Sequence, residues 1–228
     1  SALVASQNYF EKGAALLVDI GTNTEISLVL GNRILCCSCA SGPAFEGAHI
    51  HDGMRAGPGA IDKIIFIDGK PVVYTIDGKP PVGICGSGIL NSLAEMLKVG
   101  QVDYRGKFTD NRKGDFILAD AEQTGHGRSI VITRKDINEI QLAKGAIRGG
   151  MRTLQLIAGV EDDQINSFIA AGAFGTHLDT QSAIRIGIFP EIPLDRFHQI
   201  GNAAGVGAKQ MLLSREKRCQ AEKIIERV

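Results

Sequence analysis

The most constraining stretch of this 228-residue chain is Ala14 to Ile20, AALLVDI. It is apolar throughout except for one carboxylate, Asp19, near its end. It shows no polar alternation, so it reads as a strand buried on both faces. Such a strand needs a layer of structure on each side. The chain then turns through Gly21 to Asn23 and continues as a second strand, Glu25 to Leu30. Gly31-Asn32 closes a hairpin into a third, Ile34 to Ala40. An antiparallel three-strand start is therefore expected.

Residues 41–60, SGPAFEGAHIHDGMRAGPGA, are rich in glycine but also hold Ala, Phe, Ile and Met, which argues against disorder. IDGKP then occurs twice, at Ile67 to Pro71 and Ile76 to Pro80. Each Asp-Gly is a turn signal beside β-rich residues, and a β-meander inserted at about 61–82 follows. GICGSG (Gly83 to Gly88) opens a helix to about Lys98, and short strands are expected at Phe116 to Leu118 and Ile130 to Ile132. Thr133 and Asp136 form a helix start resembling a capping box, with Asp in the place of Glu. That helix runs to about Ala158 with a stripe of Ile137, Ile140, Ile147, Met151, Leu154 and Ala158. Ser167 to Ala171 is a buried strand that turns through Gly172 to Gly175 into another helix. A proline-bearing loop around Pro190 and Pro193 leads to GNAAG and a helix to about Leu213. Ser214 caps a last charged helix with Ile224, Ile225 and Val228 on one side. The order predicts an α/β fold with a mixed sheet, helices on its faces and one inserted β-element, all in a single domain over 1–228.

Twenty-five basic and 25 acidic side chains cancel, so no overall field draws the chain to nucleic acid or to an anionic membrane. No apolar run approaches the roughly 18 residues of a membrane span. The five cysteines are an odd number, and Cys36, Cys37 and Cys39 crowd together, a poor disulfide framework. A reduced, cytoplasmic protein is expected. The same three residues do not match ferredoxin spacing and read as small, buried strand cysteines. His49 and His51 would share a face of a strand, but no third ligand has suitable spacing, so a loop role is expected over a metal.

Three places could carry chemistry. In Val18 to Ile26, VDIGTNTEI, a carboxylate ends a strand and a Gly-Thr-Asn-Thr turn follows. Backbone N–H groups in such a turn converge on anions, Gly21 permits close approach, and Thr22 and Thr24 add hydroxyls. Asp19 would then hold a hydrated Mg²⁺ beside a phosphate. The alternative is a hairpin whose Asp caps its own turn. On the long helix, Lys144 falls in the heptad frame of the apolar stripe, with Arg148 one turn on and Gly145 and Gly149 beside them. Interior helical glycines cost about 1 kcal/mol each relative to alanine, so either a flat ligand approaches this face or Lys144 merely snorkels. Phe168 to Gly175, FIAAGAFG, is a strand, a small-residue turn and a helix start, which suits a ribose, phosphate or adenine, or simply a tight junction. Of the 28 glycines, 17 fall within the hairpin tip, residues 41–60, GICGSG, the Lys144 helix, AGAFG and GNAAGVG.

VDIGTNTEI resembles the phosphate hairpin of the actin, hexokinase and heat-shock ATPase superfamily, and FIAAGAFG resembles its adenosine motif. With ASGPAFEGAHI, GMRAGPGAI, GICGSGIL, QLAKGAIRGGM and GNAAGVGA, nearly the whole chain resembles one group within it, the reductive activators of corrinoid proteins. These are iron–sulfur ATPases. The resemblance implies an actin-like (ribonuclease H-like) lobe, the second of two that clasp ATP and Mg²⁺. The partner lobe and a ferredoxin-type domain carrying the iron–sulfur cluster would lie outside this chain, which would be a fragment and incomplete as an ATPase. The activity implied is ATP-coupled reduction of Co(II) to Co(I) in a corrinoid protein partner, with homodimer formation left open. Asp19 matches the carboxylate near Mg²⁺. Gly21, Thr22, Asn23 and Thr24 match the phosphate cradle, although Thr24 stands where Gly or Ala is common. Lys144 and Arg148 match the helix on the nucleoside side, and Gly172, Ala173 and Gly175 the adenosine turn. Glu46 and Arg55, in 41–60, are expected on a surface that meets the partner. The same fold also serves exopolyphosphatases and small-molecule kinases, and a non-catalytic actin-like dimerisation module is a further alternative.

Overall fold

A computed structural model describes residues 1–10, 13–110, 114–172 and 178–228. In chain order the elements are α1 (Ala2–Ala5), β1 (Ala14–Asp19), β2 (Thr24–Leu30), β3 (Arg33–Cys39), β4 (Ala60–Ile67), β5 (Lys70–Thr75), β6 (Gly83–Ile84), α2 (Gly86–Lys98), β7 (Phe116–Ala119), β8 (Ile130–Ile132), α3 (Arg134–Ala158), β9 (Ile165–Ala171), α4 (Thr180–Arg185), β10 (Phe197–Gly201), α5 (Ala203–Leu213) and α6 (Arg215–Ile225). They group into two units, one of Ser1–Ser41, Ala146–His177 and Phe189–Val228, the other of Gly42–Gly145 and Leu178–Ile188.

The first unit is built on a five-stranded sheet in the order β10-β9-β1-β2-β3. β1, β2 and β3 form the antiparallel start, with Val18 opposite Ile26 and Asp19 opposite Glu25. β9 runs parallel to β1, and β10 runs parallel to β9. β1 is central and buried on both faces, as its sequence demands: Ala15, Leu16, Leu17 and Val18 are all inaccessible. Ala15 and Leu17 pack with Val29, Ile34, Ile169 and Ile224. Phe168, on the opposite face of β9 from Ile169, stacks with Phe189 and Phe197 at ring distances of 4.5 and 5.0 Å.

Two sequence expectations fail in this unit. The loop predicted before residue 201 contains β10, an edge strand whose His198 and Gln199 conceal it from a reading by apolar runs. Of the three residues expected on the inner side of the last helix only Ile224 is buried, while Ile225 and Val228 are 71% and 66% exposed.

In the second unit, β5, β4 and β6 form a sheet in that order. Asp68 and Gly69 both have left-handed backbone and make the tight turn between β4 and β5. Asp77 and Gly78 adopt the same conformation but open a short 3₁₀ turn, and β6 then pairs parallel to β4. The insertion is thus a hairpin with an added parallel strand, not a meander. α2 packs on β4 so closely that a Cβ at Gly88 would stand 2.0 Å from the Ile61 carbonyl oxygen. Buried Asn91 accepts a hydrogen bond from the Ile64 N–H at 2.6 Å. β7 and β8 pair as a second hairpin.

α3 starts with the expected reciprocal cap. The Asp136 N–H donates to the Thr133 hydroxyl at 3.0 Å, and the Thr133 N–H donates to Asp136 Oδ2 at 2.8 Å. The second oxygen of Asp136 accepts the His51 N–H at 2.8 Å, which ties residues 41–60 to the helix start. Those residues are ordered by close glycine contacts: a Cβ at Gly53 would stand 2.0 Å from the Gly47 carbonyl oxygen. Phe45 and Ile50 are buried within them.

Neighbouring glycines of α3 do different things. A Cβ at Gly150 would come within 2.3 Å of Cys39 Sγ and 2.8 Å of Ile26 Cδ1, whereas one at Gly149 would meet nothing within 4 Å. Gly149→Ala is expected to stabilise the fold by up to about 1 kcal/mol through helix propensity. Gly150→Ala is expected to destabilise it by about 1 kcal/mol, because overpacking outweighs the same propensity gain. Urea denaturation of the two variants checks this, and equal effects would contradict it.

Candidate functional site

Because β1, β9 and β10 are parallel, their C-terminal ends lie at one edge of the sheet, where open α/β sheets bind ligands. Asp19 ends β1, Ala171 ends β9 and Gly201 ends β10. The Ile20 N–H donates to the Ala171 carbonyl at 3.0 Å, and the Gly172 N–H to the Gly201 carbonyl at 2.9 Å. Gly172 has φ +101°, and a Cβ there would stand 2.1 Å from the Ile20 carbonyl oxygen. Only glycine fits this position. The hairpin tip and the start of the small-residue turn are thereby brought together. Ala173 and Gly175 lie outside the described residues.

Asp19 is half-buried and makes no hydrogen bond or ion pair with a described residue. Burial, and then the Glu25 carboxylate opposite, raise its pKa above the usual value. An unpaired, partly desolvated carboxylate is what a hydrated cation would satisfy. Thr22 and Asn23 are exposed at the tip. Gly21 is not left-handed, so the turn itself does not require it; a Cβ there would stand 3.1 Å from the Asn23 carbonyl oxygen. The tip thus presents exposed Thr22 and Asn23 beside a carboxylate with no partner among the described residues, which fits a phosphate with its Mg²⁺.

Thr24 departs from the expectation that its hydroxyl serves a phosphate. It begins β2, is fully buried and bonds Ser41 Oγ at 2.7 Å. Ser41 in turn donates to the Gly21 carbonyl at 3.0 Å. Thr24 and Ser41 brace the tip from beneath. Ser41 was invisible as a site residue because its role needs the pairing of β2 with β3, which places residue 41 beside residue 24.

The remaining candidates divide between the two units. Arg148 is held by Asp162, whose other oxygen accepts from Gln155 at 2.9 Å. Burial raises the Asp162 pKa, but the Arg148 and Gln155 hydrogen bonds outweigh it and hold the carboxylate below its usual range. Arg148 Nη1 is inaccessible and has no partner among the described residues. Gly145 and Gly149, four residues apart on α3, leave one stretch of its surface bare. Lys144 belongs to the second unit, beside Gly187, and burial lowers its pKa. Glu46 and Arg55 are exposed in the same unit. His49 and His51 sit in a turn, not a strand, facing Glu139 at 3.8 Å and Asp52 at 3.2 Å. Among the described residues no group of three metal-ligating side chains converges. The strand cysteines are less buried than expected: Cys36 is exposed, while Cys37 and Cys39 are half-covered with sulfurs 4.0 Å apart. Burial and the neighbouring Cys39 push the Cys37 thiol up to about 12.

Residues 13–228 match the family described as the C-terminal domain of RACo, the ASKHA domain. The chain belongs to that family. It is 36% identical over 225 residues to the corrinoid activation enzyme RamQ of Eubacterium limosum, covering 91% of this chain and 38% of that protein. It is 33% identical over 225 residues to the [Co(II) methylated amine-specific corrinoid protein] reductase of Methanosarcina barkeri, covering 89% of this chain and 39% of that protein. A solved structure of a reductive activator for corrinoid, iron–sulfur protein superposes with a TM-score of 0.89 at 36% identity, covering 99% of this chain and 38% of that one. The chain therefore spans about two fifths of the length of these relatives. Its fold is the actin-like, mixed α/β architecture of an ASKHA domain.

The Asp19 carboxylate makes this RACo-family domain less stable as it ionises. Below 3.8, the ordinary aspartate value, it is protonated whether the chain is folded or not. As pH rises through its elevated folded-state pKa, the charge must be held half-buried beside Glu25 and stability falls. Asp19→Asn is expected to raise the Tm at pH 7 in Mg²⁺-free buffer and to flatten the fall in Tm that begins as pH rises above the ordinary aspartate value. A lower Tm for the variant would show that the carboxylate is already compensated.

Proposed function

We propose that the chain is the nucleotide-binding lobe of a corrinoid-protein reductive activator, with residues 1–228 acting as one lobe of a larger clamp. The observation that supports this most directly is the Asp19 carboxylate, without a partner among the described residues, beside a tip that exposes Thr22 and Asn23 and is pinned against Gly172 at the sheet edge. Family membership and the corrinoid-directed names of the relatives supply the reaction class.

Within this reading Asp19 orients a hydrated Mg²⁺, and the backbone of Gly21, Thr22 and Asn23 receives phosphate oxygens. Gly172 keeps the sheet edge open to the rest of the nucleotide. Arg148, fixed by Asp162, and the α3 surface at Gly149 serve the nucleoside side. When bound, ATP supplies the free energy for an unfavourable electron transfer. The residues of this chain convert its presence into a change of conformation by binding it better in one state than in another. The electron that takes Co(II) to Co(I) comes from an iron–sulfur cluster elsewhere in the parent protein. Residues 41–60, with Glu46 and Arg55 exposed, form the surface that meets the corrinoid protein.

In the full-length protein, Asp19→Asn is expected to lower ATP-dependent reactivation of a Co(II) corrinoid protein at least ~100-fold, the order seen when one electrostatic contact to a reacting phosphoryl or acyl group is lost. Cobalt reduction followed by visible absorbance is the readout. Unchanged reactivation would remove Asp19 from the site. Phosphate release from polyphosphate with no response to corrinoid protein would favour an exopolyphosphatase instead.

A further inference from the structure

The first unit carries a pair of thiols that the nucleotide reading does not use. Cys37 and Cys39 lie two residues apart on β3, so their side chains share one face of the sheet. Their sulfurs are 4.0 Å apart. Both residues are half-covered, and Gly150 of α3 lies over both sulfurs. A Cβ there would stand 2.3 Å from Cys39 Sγ and 3.3 Å from Cys37 Sγ. The space of the missing side chain is left to the two thiols.

Strand pairing puts this pair on the other side of the sheet from Asp19. Asp19 stands opposite Glu25, and Glu25 opposite Ser38, whose hydroxyl donates to the Glu25 carboxylate at 3.2 Å. Residues directly opposite in an antiparallel pair share a face. Cys36 belongs to that same face and contacts Ser27 Oγ at 3.3 Å. Cys37 stands opposite Ile26 and Cys39 opposite Thr24, one residue off that row, so both face the other way. The dithiol therefore lies beneath α3, on the face opposite the carboxylate that suits Mg²⁺.

A separation of 4.0 Å is twice the S–S bond length of about 2.0 Å. Two thiolates that share one ion at about 2.3 Å each stand at most about 4.6 Å apart. An ion thus fits between these sulfurs with little movement. Among the described residues no third metal-ligating side chain joins them. Zinc closes a structural site with four ligands, and hard cations require oxygen. A soft monovalent ion accepts two thiolates alone, and thiolates select copper(I). Burial and the neighbouring Cys39 keep the proton on Cys37 in the free protein. A cation between the sulfurs removes the repulsion that a second thiolate would add.

We propose that Cys37 and Cys39 form a two-coordinate thiolate site for a soft monovalent cation, copper(I), beneath Gly150 of α3. The ion replaces the proton of each thiol. Two S–H bonds break, two S–Cu bonds form, two protons leave to solvent and no electron moves. This goes beyond the nucleotide reading and does not depend on it.

Anaerobic titration of the full-length protein with copper(I), in competition with the chromophoric chelator bicinchoninate, tests the site. Mapping of N-ethylmaleimide alkylation by mass spectrometry locates the ion. One equivalent is expected to protect Cys37 and Cys39 from alkylation and to leave Cys36 reactive. Cys37→Ser and Cys39→Ser should each weaken that equivalent at least ~100-fold, since even an outer-shell partner of a metal is worth ~10–100-fold. Cys36→Ser should bind as the wild type does. Saturating Mg·ATP, and Asp19→Asn, should leave copper(I) uptake unchanged, so the two readings fail separately. Unprotected Cys37 and Cys39, undiminished affinity in their serine variants, or weakening by Cys36→Ser would overturn the proposal. Protection by Zn²⁺ at lower concentration than by copper(I), or a Cys37–Cys39 disulfide in the protein as isolated, would overturn it as well. Displacement of the ion by Mg·ATP would place the pair in the nucleotide site and would overturn it equally.

Discussion

The contact on which the sheet edge depends is the close approach of Gly172 to Ile20. A Cβ at residue 172 would overlap the Ile20 carbonyl at 2.1 Å. The same few residues carry the hydrogen bonds that join the ends of β1, β9 and β10. Remove this freedom from a side chain and β9 could not end level with β1, where Asp19 pairs with Ala171. The parallel register then dictates the rest: the one carboxylate of a buried strand emerges beside the turn that follows β9. A site at this edge follows from topology before any ligand is considered.

Several buried polar groups of this fold find their partners across long stretches of sequence. Asp136 serves three backbone and side-chain partners, Asn91 reaches across to β4, and Thr24 and Ser41 satisfy each other. Against that background Asp19, half-buried and with no hydrogen bond or ion pair to a described residue, stands out as a place where the protein carries an electrostatic cost in isolation. It suits a hydrated cation with its phosphate. Cost borne without an internal partner is the usual signature of a group kept for something external.

Much of this was legible before the fold was known, and what was not has physical causes. The apolar run of Ala14 to Ile20 allowed only a doubly covered strand, and Thr133 with Asp136 allowed only a helix start. Glycine was harder to interpret, because a missing side chain looks the same whether a ligand or the protein's own backbone fills the space. Gly88 and Gly150 make room for Ile61 and for Cys39. Gly145 and Gly149 make room for nothing among the described residues. Only the tertiary contacts separate the two kinds. Thr24 misled for a similar reason, since a hydroxyl in a phosphate-like motif was read as a donor although strand pairing turns it inward to Ser41. β10 escaped notice because an edge strand needs no continuous apolar run.

The central claim is that the β1–β2 tip, with Gly172, receives a metal-bound nucleotide. Amide hydrogen exchange of the full-length protein with and without Mg·ATP tests it most directly. The account predicts slowed exchange at residues 21–24 and at Gly172 that requires Mg²⁺ and is absent in Asp19→Asn. Protection confined to other segments, or protection at the tip that persists without Mg²⁺ and in the variant, would contradict it.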